Sequence, residues 1–535
     1  MNNKILFKRF GTMIDCSRNA VMTVDALKKW IELISKMGYN TLYLYTEDTY
    51  EVEDNPYFGY LRGKYTRDEI REIVAHADRF GMEVIPCIQT LAHLENYKRW
   101  DKTPYDIDDI MLAGDEKVYE LIDKMFKSIS ETYTTKTINV GMDEAQNLGR
   151  GAYADIHGNR ERRTILLEHL GKVAQIAKKY GFTLGMWSDM FFTAFTGQTY
   201  DPDIEFGDDV KSQIPDNVEL IYWDYETKTV ESYDSRMKAH ERLKPGYWFA
   251  SGLSTWLGFA PHNIFASGIV EKAMTACRMN GVTNVMITMW GDNGGECSRF
   301  ASLPSVFYAS EIAKGITDEA TIKEDFYKMF SVSYDDFTAL DMASALLYDG
   351  NASNAEKYLL YNDPFLGIFD STMPKDIDEK FTVALEKLNS AKPTDEWKYL
   401  FDTSRTLAKI LTRKASLGIK TREAYENKDL NGCRELAKVY AQLSEEVGEF
   451  YKYFRKQWFS ENKANGFEVQ DIRLGGLMLR LKHLSEVLTD YADGKLKNIP
   501  ELEEKTLDYF GNGEDFKTAM LNYRSWSGTV TANTI

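Results

Sequence analysis

Two acidic residues stand side by side, Asp143 and Glu144, at the end of the apolar run Thr137-Ile138-Asn139-Val140-Gly141-Met142. Carboxyl groups in such a place suit glycosidic bond cleavage. That reaction needs a proton donor for the departing oxygen and a second group to offset positive charge at the anomeric carbon. Adjacent residues can meet both needs only if their side chains diverge. An Asp-Glu pair is also an ordinary helix N-cap arrangement, so its weight comes from its company. Trp187, Trp223 with Tyr225, Trp256 and Trp290 each fall at or just after the end of another apolar run. Indole and phenol rings pack on the C–H faces of pyranose rings while keeping a polar donor free. The competing use of each ring is core packing; recurrence at the same point of successive units favours a shared rim.

The elements that must position these residues follow one repeating order: amphipathic helix, glycine, short apolar run. Ala26, Leu27, Trp30, Ile31, Ile34 and Met37 share a helical face, Gly38 follows, and residues 40–45 are largely apolar. The order returns at Phe80-Gly81, Tyr180-Gly181 and Asn280-Gly281. Strands are predicted near residues 11–14, 41–45, 84–88, 137–142, 183–187, 218–223, 247–250 and 284–289. Eight such strands separated by helices predict a closed parallel (β/α)8 TIM barrel, because strands covered on both faces show no polar alternation. An open doubly wound sheet would carry a glycine-rich phosphate turn after its first strand, and Ile14-Asp15-Cys16-Ser17-Arg18 has none. In the barrel, chemistry belongs at the C-terminal strand ends, where the acids and aromatics fall.

Residues 1–330 are therefore expected to form an α/β catalytic barrel and residues 331–535 an all-α C-terminal domain. The latter reads as long amphipathic helices, through Trp397, Leu400, Phe401, Leu407 and Leu411 and through Leu436, Leu443, Val447, Phe450 and Phe454. Gly475 and Gly476 interrupt a third helical pattern at a cost of about 1 kcal/mol each. Close packing on the barrel or on a second copy would explain them, so a homodimer is expected.

A formal charge of minus 17 disfavours nucleic acid and anionic membranes as partners. No stretch reads as a transmembrane span, and the opening MNNKILFKRF, with Lys8 inside its apolar stretch, does not read as a signal peptide. Cys16, Cys87, Cys277, Cys297 and Cys433 are odd in number and contain no CxxC pair, which suits a reducing cytoplasm and argues against a structural zinc site. Neither HxH nor HExxH occurs near a strand end, so no metal or other cofactor is expected.

Gly141-Met142-Asp143-Glu144 matches the G-x-D-E motif of the family 20 glycoside hydrolases, the β-N-acetylhexosaminidases, and Asp15-Cys16-Ser17-Arg18 matches their D-x-x-R pattern. The chain resembles that family over residues 5–325, and specifically a smaller bacterial intracellular branch without the preceding β-sandwich domain. Trp187, Trp223 and Trp290 look like the family's tryptophans around the acetamido pocket. Asp292 stands where the family usually has Glu. In Pro86-Cys87-Ile88-Gln89-Thr90-Leu91-Ala92-His93 only Pro86 and His93 match.

The resemblance implies a retaining exo-glycosidase that removes a terminal N-acetylhexosamine from an oligosaccharide. The sugar's acetamido oxygen would be the nucleophile, oriented by Asp143, with Glu144 as general acid and Arg18 gripping hydroxyls. Read from the residues alone, Arg18 is equally a surface ion-pair residue, His93 equally a capping or packing residue, and Glu47-Asp48 open in role. The alternative functions are another acetamido-assisted barrel glycosidase, of O-GlcNAc hydrolase or chitinase type, and a non-catalytic sugar-binding module.

Overall fold

The computed structural model describes residues 5–292, 294–345 and 353–509. The described residues divide into two units. The first comprises Met1–Leu253, Ala266–Gly291 and Ser305–Asp318; the second comprises Ser254–Phe265, Asp292–Pro304 and Glu319–Ile535.

In the first unit eight parallel strands close into a barrel in sequence order: β1 Arg9–Asp15, β2 Thr41–Tyr45, β3 Glu83–Cys87, β4 Thr137–Asn139, β5 Thr183–Trp187, β6 Val218–Trp223, β7 Trp248–Gly252 and β8 Asn284–Met289. Closure is made by β1 on β8, with Phe10 opposite Val285 and Ile14 opposite Met289. Both faces of each strand are covered, and β2 and β8 are buried along their whole length. That explains the unbroken apolar runs.

The helix Val24–Met37 shows how the repeating unit works. The Thr23 side chain accepts from the Ala26 N–H and starts the helix. Its buried stripe is Ala26, Leu27, Trp30, Ile31, Ile34 and Met37, and each large apolar side chain contributes about 1.5–3 kcal/mol on burial. Trp30 also donates its indole N–H to Thr12 on β1 at 2.9 Å. Gly38 ends the helix at φ 101°, and Gly81, Gly181 and Gly281 hold φ values of 65°, 72° and 65° at the equivalent corners. A side chain there would strain against its own backbone.

The strand predicted over 137–142 stops at Asn139. Gly141 and Met142 take φ 73° and 70°, values outside the extended range. The chain turns away from the sheet before it reaches the acids.

The second unit is helical, with long helices at Lys398–Lys414, Leu430–Glu461 and Glu468–Ala492. Gln470, Leu474, Leu477, Leu481, Leu484, Leu488 and Ala492 form a buried stripe with steps of three and four. Its partner is the stripe Ala437, Tyr440, Leu443, Val447, Phe450 and Phe454. The two helices pair antiparallel: Ser444 donates to the Met478 carbonyl at 3.0 Å and Ser485 to the Ala437 carbonyl at 2.6 Å. Close packing at Gly475 and Gly476 is not found, since no described atom would lie within 4 Å of a Cβ at either. Ile472 and Leu479 on the same helix are exposed.

Buried acids tie the segments Ser254–Phe265 and Asp292–Pro304 to these helices. Glu296 pairs with Lys357 and accepts from Gln470 at 3.0 Å. Glu356 accepts from the Phe259 N–H at 3.1 Å, and Asp341 from Asn263 and the Ile264 N–H, both at 2.9 Å.

Candidate active site

The β4 end is shaped by its first glycine. Gly141 must be glycine on two counts: its φ is 73°, and a Cβ would sit 2.0 Å from the Gln89 side-chain oxygen. Gln89, just beyond β3, uses that space as a hub. Its oxygen accepts from the Met142 N–H at 3.1 Å, and its amide donates to Asp143 at 2.7 Å and to the Tyr45 hydroxyl at 2.9 Å.

Asp143 is buried, and its second oxygen lies 3.3 Å from His93 Nε2. His93 sits at φ 59°, its backbone N–H bonded to Asp109 at 2.9 Å. Burial opposes charge on both partners, but their mutual attraction prevails. The Asp143 carboxyl is held below its usual range, with His93 and Gln89 stabilising the anion. The imidazole, which burial alone would lower, is raised to about 10, chiefly by Asp143.

Glu144 is the more open of the two acids. It takes φ 53°, its side chain is 43% exposed, and its carboxyl lies 3.8 Å from His93 Nε2. What holds this backbone is Asp189, two residues beyond β5, which accepts the Glu144 N–H at 2.9 Å. Asp189 is buried and also meets the Trp223 indole N–H at 3.4 Å. Burial, followed by the Asp143 charge, pushes its carboxyl up to about 7.

On the other side of Gln89 the network continues to β1. Tyr45 donates to Glu47 at 3.1 Å, and Glu47 pairs with Arg18 at 3.0 Å. Burial raises Glu47 to about 7 against the pull of Arg18 and His93. Asp15 anchors the segment that carries Arg18: one oxygen accepts from the Ser17 N–H at 2.8 Å and the other from the Gly291 N–H at 2.9 Å. Asp48 is buried, accepts from Arg62 at 3.3 Å through one oxygen, and is raised by burial. Its second oxygen has no donor among the described residues.

The rings form a continuous wall. Trp187 and Trp290 lie 6.0 Å apart, Tyr45 meets Trp290 edge-on at 4.7 Å, and Trp223 stacks on Tyr225 at 5.3 Å. The Trp290 indole donates to the Tyr225 hydroxyl at 2.9 Å. Trp187 is 1% exposed, and its indole N–H has no acceptor among the described residues.

Within the first unit the structure thus brings together Arg18, Asp48, His93, Asp143, Glu144, Trp187, Trp223, Tyr225 and Trp290. Trp256 and Asp292 fall in the second unit. Gln89 and Asp189 were not among the residues singled out from the sequence. Gln89 stood in the segment that departs from the family pattern. Asp189 follows Trp187 at a strand end and carried that positional signal. Among the described residues no group of His, Cys, Asp and Glu could hold a metal ion. No described helix is long and apolar enough to cross a membrane.

Residues 7–232 match the model of the glycosyl hydrolase family 20 catalytic domain, and residues 335–521 match the glycoside hydrolase 20C C-terminal domain. Hexosaminidase D of Bos taurus is 26% identical over 224 residues, 39% of this chain and 60% of that protein. Hexosaminidase D of Homo sapiens is 25% identical over 233 residues, 39% of this chain and 43% of that protein. The chain thus spans less than two thirds of the length of either relative. A family 20 exo-β-N-acetylglucosaminidase from Vibrio harveyi, solved with N-acetylglucosamine, superposes with a TM-score of 0.47 at 16% identity, over 63% of this chain and 59% of that one. With a catalytic-domain match that spans Arg18, Asp143, Glu144, Trp187, Trp223 and Tyr225 and a second family 20 match after it, the chain belongs to glycosyl hydrolase family 20.

Proposed function

We propose that the protein is a retaining exo-β-N-acetylhexosaminidase that uses the substrate's acetamido group as nucleophile. The observation that carries this reading is the difference in surroundings between two adjacent acids that both approach His93. Asp143 is buried, fixed by Gln89 and His93 and held ionised, while Glu144 is partly exposed and lies farther from the same imidazole.

In the first step Glu144 protonates the departing glycosidic oxygen as the acetamido oxygen attacks the anomeric carbon. The product is a cyclic oxazolinium ion and a free alcohol. Asp143 accepts the acetamido N–H and offsets the positive charge that develops on that group. In the second step Glu144, now ionised, takes a proton from water, which reopens the ring with net retention. Family 20 enzymes are the recognised exception to the enzyme-carboxylate nucleophile. A second enzyme carboxylate at attack distance is unnecessary, and Asp143 is suited instead to holding an amide. Trp187, Trp223, Tyr225 and Trp290 would wall the acetamido methyl, and the unpartnered Trp187 N–H offers a donor inside that wall. Arg18 and Asp48 would meet the outer hydroxyls. The five cysteines are buried thiols, none of them in a disulfide, which supports a cytoplasmic location.

The test compares p-nitrophenyl N-acetyl-β-glucosaminide and its galacto epimer with p-nitrophenyl β-glucoside, which lacks the acetamide. Turnover should require the acetamide and be inhibited by a thiazoline mimic of the cyclic ion. Equal turnover of the plain glucoside would overturn the mechanism.

A further inference from the structure

Between β7 and the helix Asn263–Met279 the chain forms neither strand nor helix, yet every residue from 253 to 262 is buried. Among the described residues, no backbone N–H from 257 to 262 bonds to another backbone group. Such a stretch has no ladder to fix it, and its buried polar groups must be paired from elsewhere. Trp256 lies in it, four residues beyond β7. Loops that follow the strands of a parallel barrel carry the residues that meet substrate.

The partners of this loop come from the helical unit. Glu356, on the helix Ala355–Tyr361, is 0% exposed. One of its oxygens accepts from the N–H groups of both Phe259 and Ala260, at 3.1 and 3.4 Å, and the other accepts from the Ser344 hydroxyl. Asn354 donates to the Leu257 carbonyl at 3.4 Å. Gly258 lies between these bonds, and a Cβ there would collide with the Glu356 carboxyl. The Phe259 ring meets Phe450 and Phe454 edge-on at 5.4 and 5.3 Å.

Glu356 is therefore the group on which the middle of the loop is ordered. Further along, Asp341 holds Asn263 and the Ile264 N–H. Side chains that lie some hundred positions later in the chain thus dictate a conformation the loop has no means of keeping by itself.

We propose that Glu356 is a positioning residue for the loop after β7 and, through that loop, for Trp256, so that the helical unit sets how tightly the terminal sugar is held. The proposal rests on the reading of the protein as a hexosaminidase with Trp256 against its substrate. Without Glu356 the loop is free to move, and binding has to order it again at a cost in affinity. The bonds that fix Asp143 and Glu144 are a separate set, so the loss falls on KM more than on kcat.

The experiment measures kcat and KM for p-nitrophenyl N-acetyl-β-glucosaminide in the wild type, Glu356→Ala, Glu356→Gln, Trp256→Ala and the double variant Trp256→Ala/Glu356→Ala. KM should rise about tenfold in Glu356→Ala and at least as much in Trp256→Ala, with kcat changed about twofold at most. Glu356→Gln, which keeps an acceptor oxygen, should restore most of the affinity. In the Trp256→Ala background the second substitution should add nothing, because one residue acts through the other. A wild-type KM in either single alanine variant, or KM effects that simply multiply in the double variant, overturns the proposal. A purely structural Glu356 would lower the melting temperature and leave KM alone. Should Glu356→Ala fail to fold, Gly258→Ala displaces the loop from its own side and is read in the same way. A wild type that binds N-acetylglucosamine in a calorimeter but turns over no aryl glycoside defeats the hexosaminidase reading alone. The same variants are then compared by their affinity for that sugar, and equal affinity in wild type and Glu356→Ala overturns the proposal. A wild type that neither binds nor turns over overturns both.

Discussion

The backbone N–H of Glu144 donates to the Asp189 carboxylate at 2.9 Å, so the candidate acid in the turn after β4 is held by a buried acid following β5. The bond fixes Glu144 at φ 53°, a conformation that non-glycine residues seldom adopt. It also links that turn to the Trp223 indole. Asp189 is a positioning residue in this arrangement, and Asp189→Ala should lower kcat on the order of 10²-fold by letting Glu144 drift. Asp189→Asn, which keeps an acceptor oxygen, should lose much less. Equal losses in the two variants would sink that role.

The same residue predicts a stability effect with a definite sign. Asp189 is raised to about 7 in the fold against about 3.9 in an unfolded chain. The folded state therefore binds more protons across that window, and stability is lost as pH rises through it. Asp189→Asn removes this penalty. Its melting temperature relative to wild type should be more favourable at pH 8 than at pH 4, as scanning calorimetry can check.

His93 and Asp143 stabilise each other's charged forms, so His93→Gln should move the acid limb of kcat/KM to higher pH. The buried Asp143 then retains Gln89 but loses its cation. The stability difference from wild type should also depend on pH. The His93 share is fully present below about 6.5 and lost as pH rises through its folded value of about 10. The Asp143 share is present above about 3.9 and lost as pH falls through its lowered folded value. The gap in melting temperature should thus be widest between about pH 4 and 6.5. An acid limb that stays in place would show that the pair does not control Asp143.

Asp143→Asn and Glu144→Gln should fail differently. Loss of the acid should cost about 10²–10⁴-fold on substrates with poor leaving groups and much less on activated aryl glycosides, whose departing oxygen needs little protonation. Loss of the Asp143 charge should harm every substrate bearing the acetamide. Leaving-group series measured on both variants separate the roles; identical slopes would contradict the assignment.

Gly141→Ala places a methyl group on the Gln89 oxygen and forces alanine to φ 73°. Strain of this kind costs about 1–3 kcal/mol, and the displaced Gln89 releases Asp143. The variant should melt several degrees lower and lose most activity. Urea unfolding and steady-state rates on the same preparation test both parts.

In the helical unit, Lys357 and Glu296 are a buried pair, at 0% and 1% side-chain exposure. Lys357→Met leaves Glu296 without its closest cation and should destabilise that unit by about 3–5 kcal/mol. Adding Glu296→Gln should recover part of the loss, because the remaining buried group is then neutral. Denaturant unfolding of the single and double variants tests the coupling.

The barrel was legible because its signals are local. The six-residue stripe from Ala26 to Met37, the positive-φ glycine after it and the apolar run of β2 follow from helix periodicity and turn sterics alone. Asp143, Glu144 and the rings at the strand ends could be named for the same reason: strand direction in a parallel barrel places all C-terminal ends on one side. The pairing of the two acids with different surroundings could not be read from their adjacency.

That outcome depends on contacts between strands far apart in sequence. Gln89 reaches Asp143 across the β3–β4 seam, 54 positions along the chain, and Asp189 reaches the Glu144 backbone from β5 across 45. Tertiary structure also decided that Trp256 and Asp292 group with the helical unit and that Gly475 and Gly476 have no close neighbour among the described residues. Residue type and spacing determine what each segment becomes and which end of the barrel carries the chemistry. Closure of the barrel decides which side chain is buried and ionised and which is left facing solvent, because burial and charge pairing are properties of the neighbours that closure supplies.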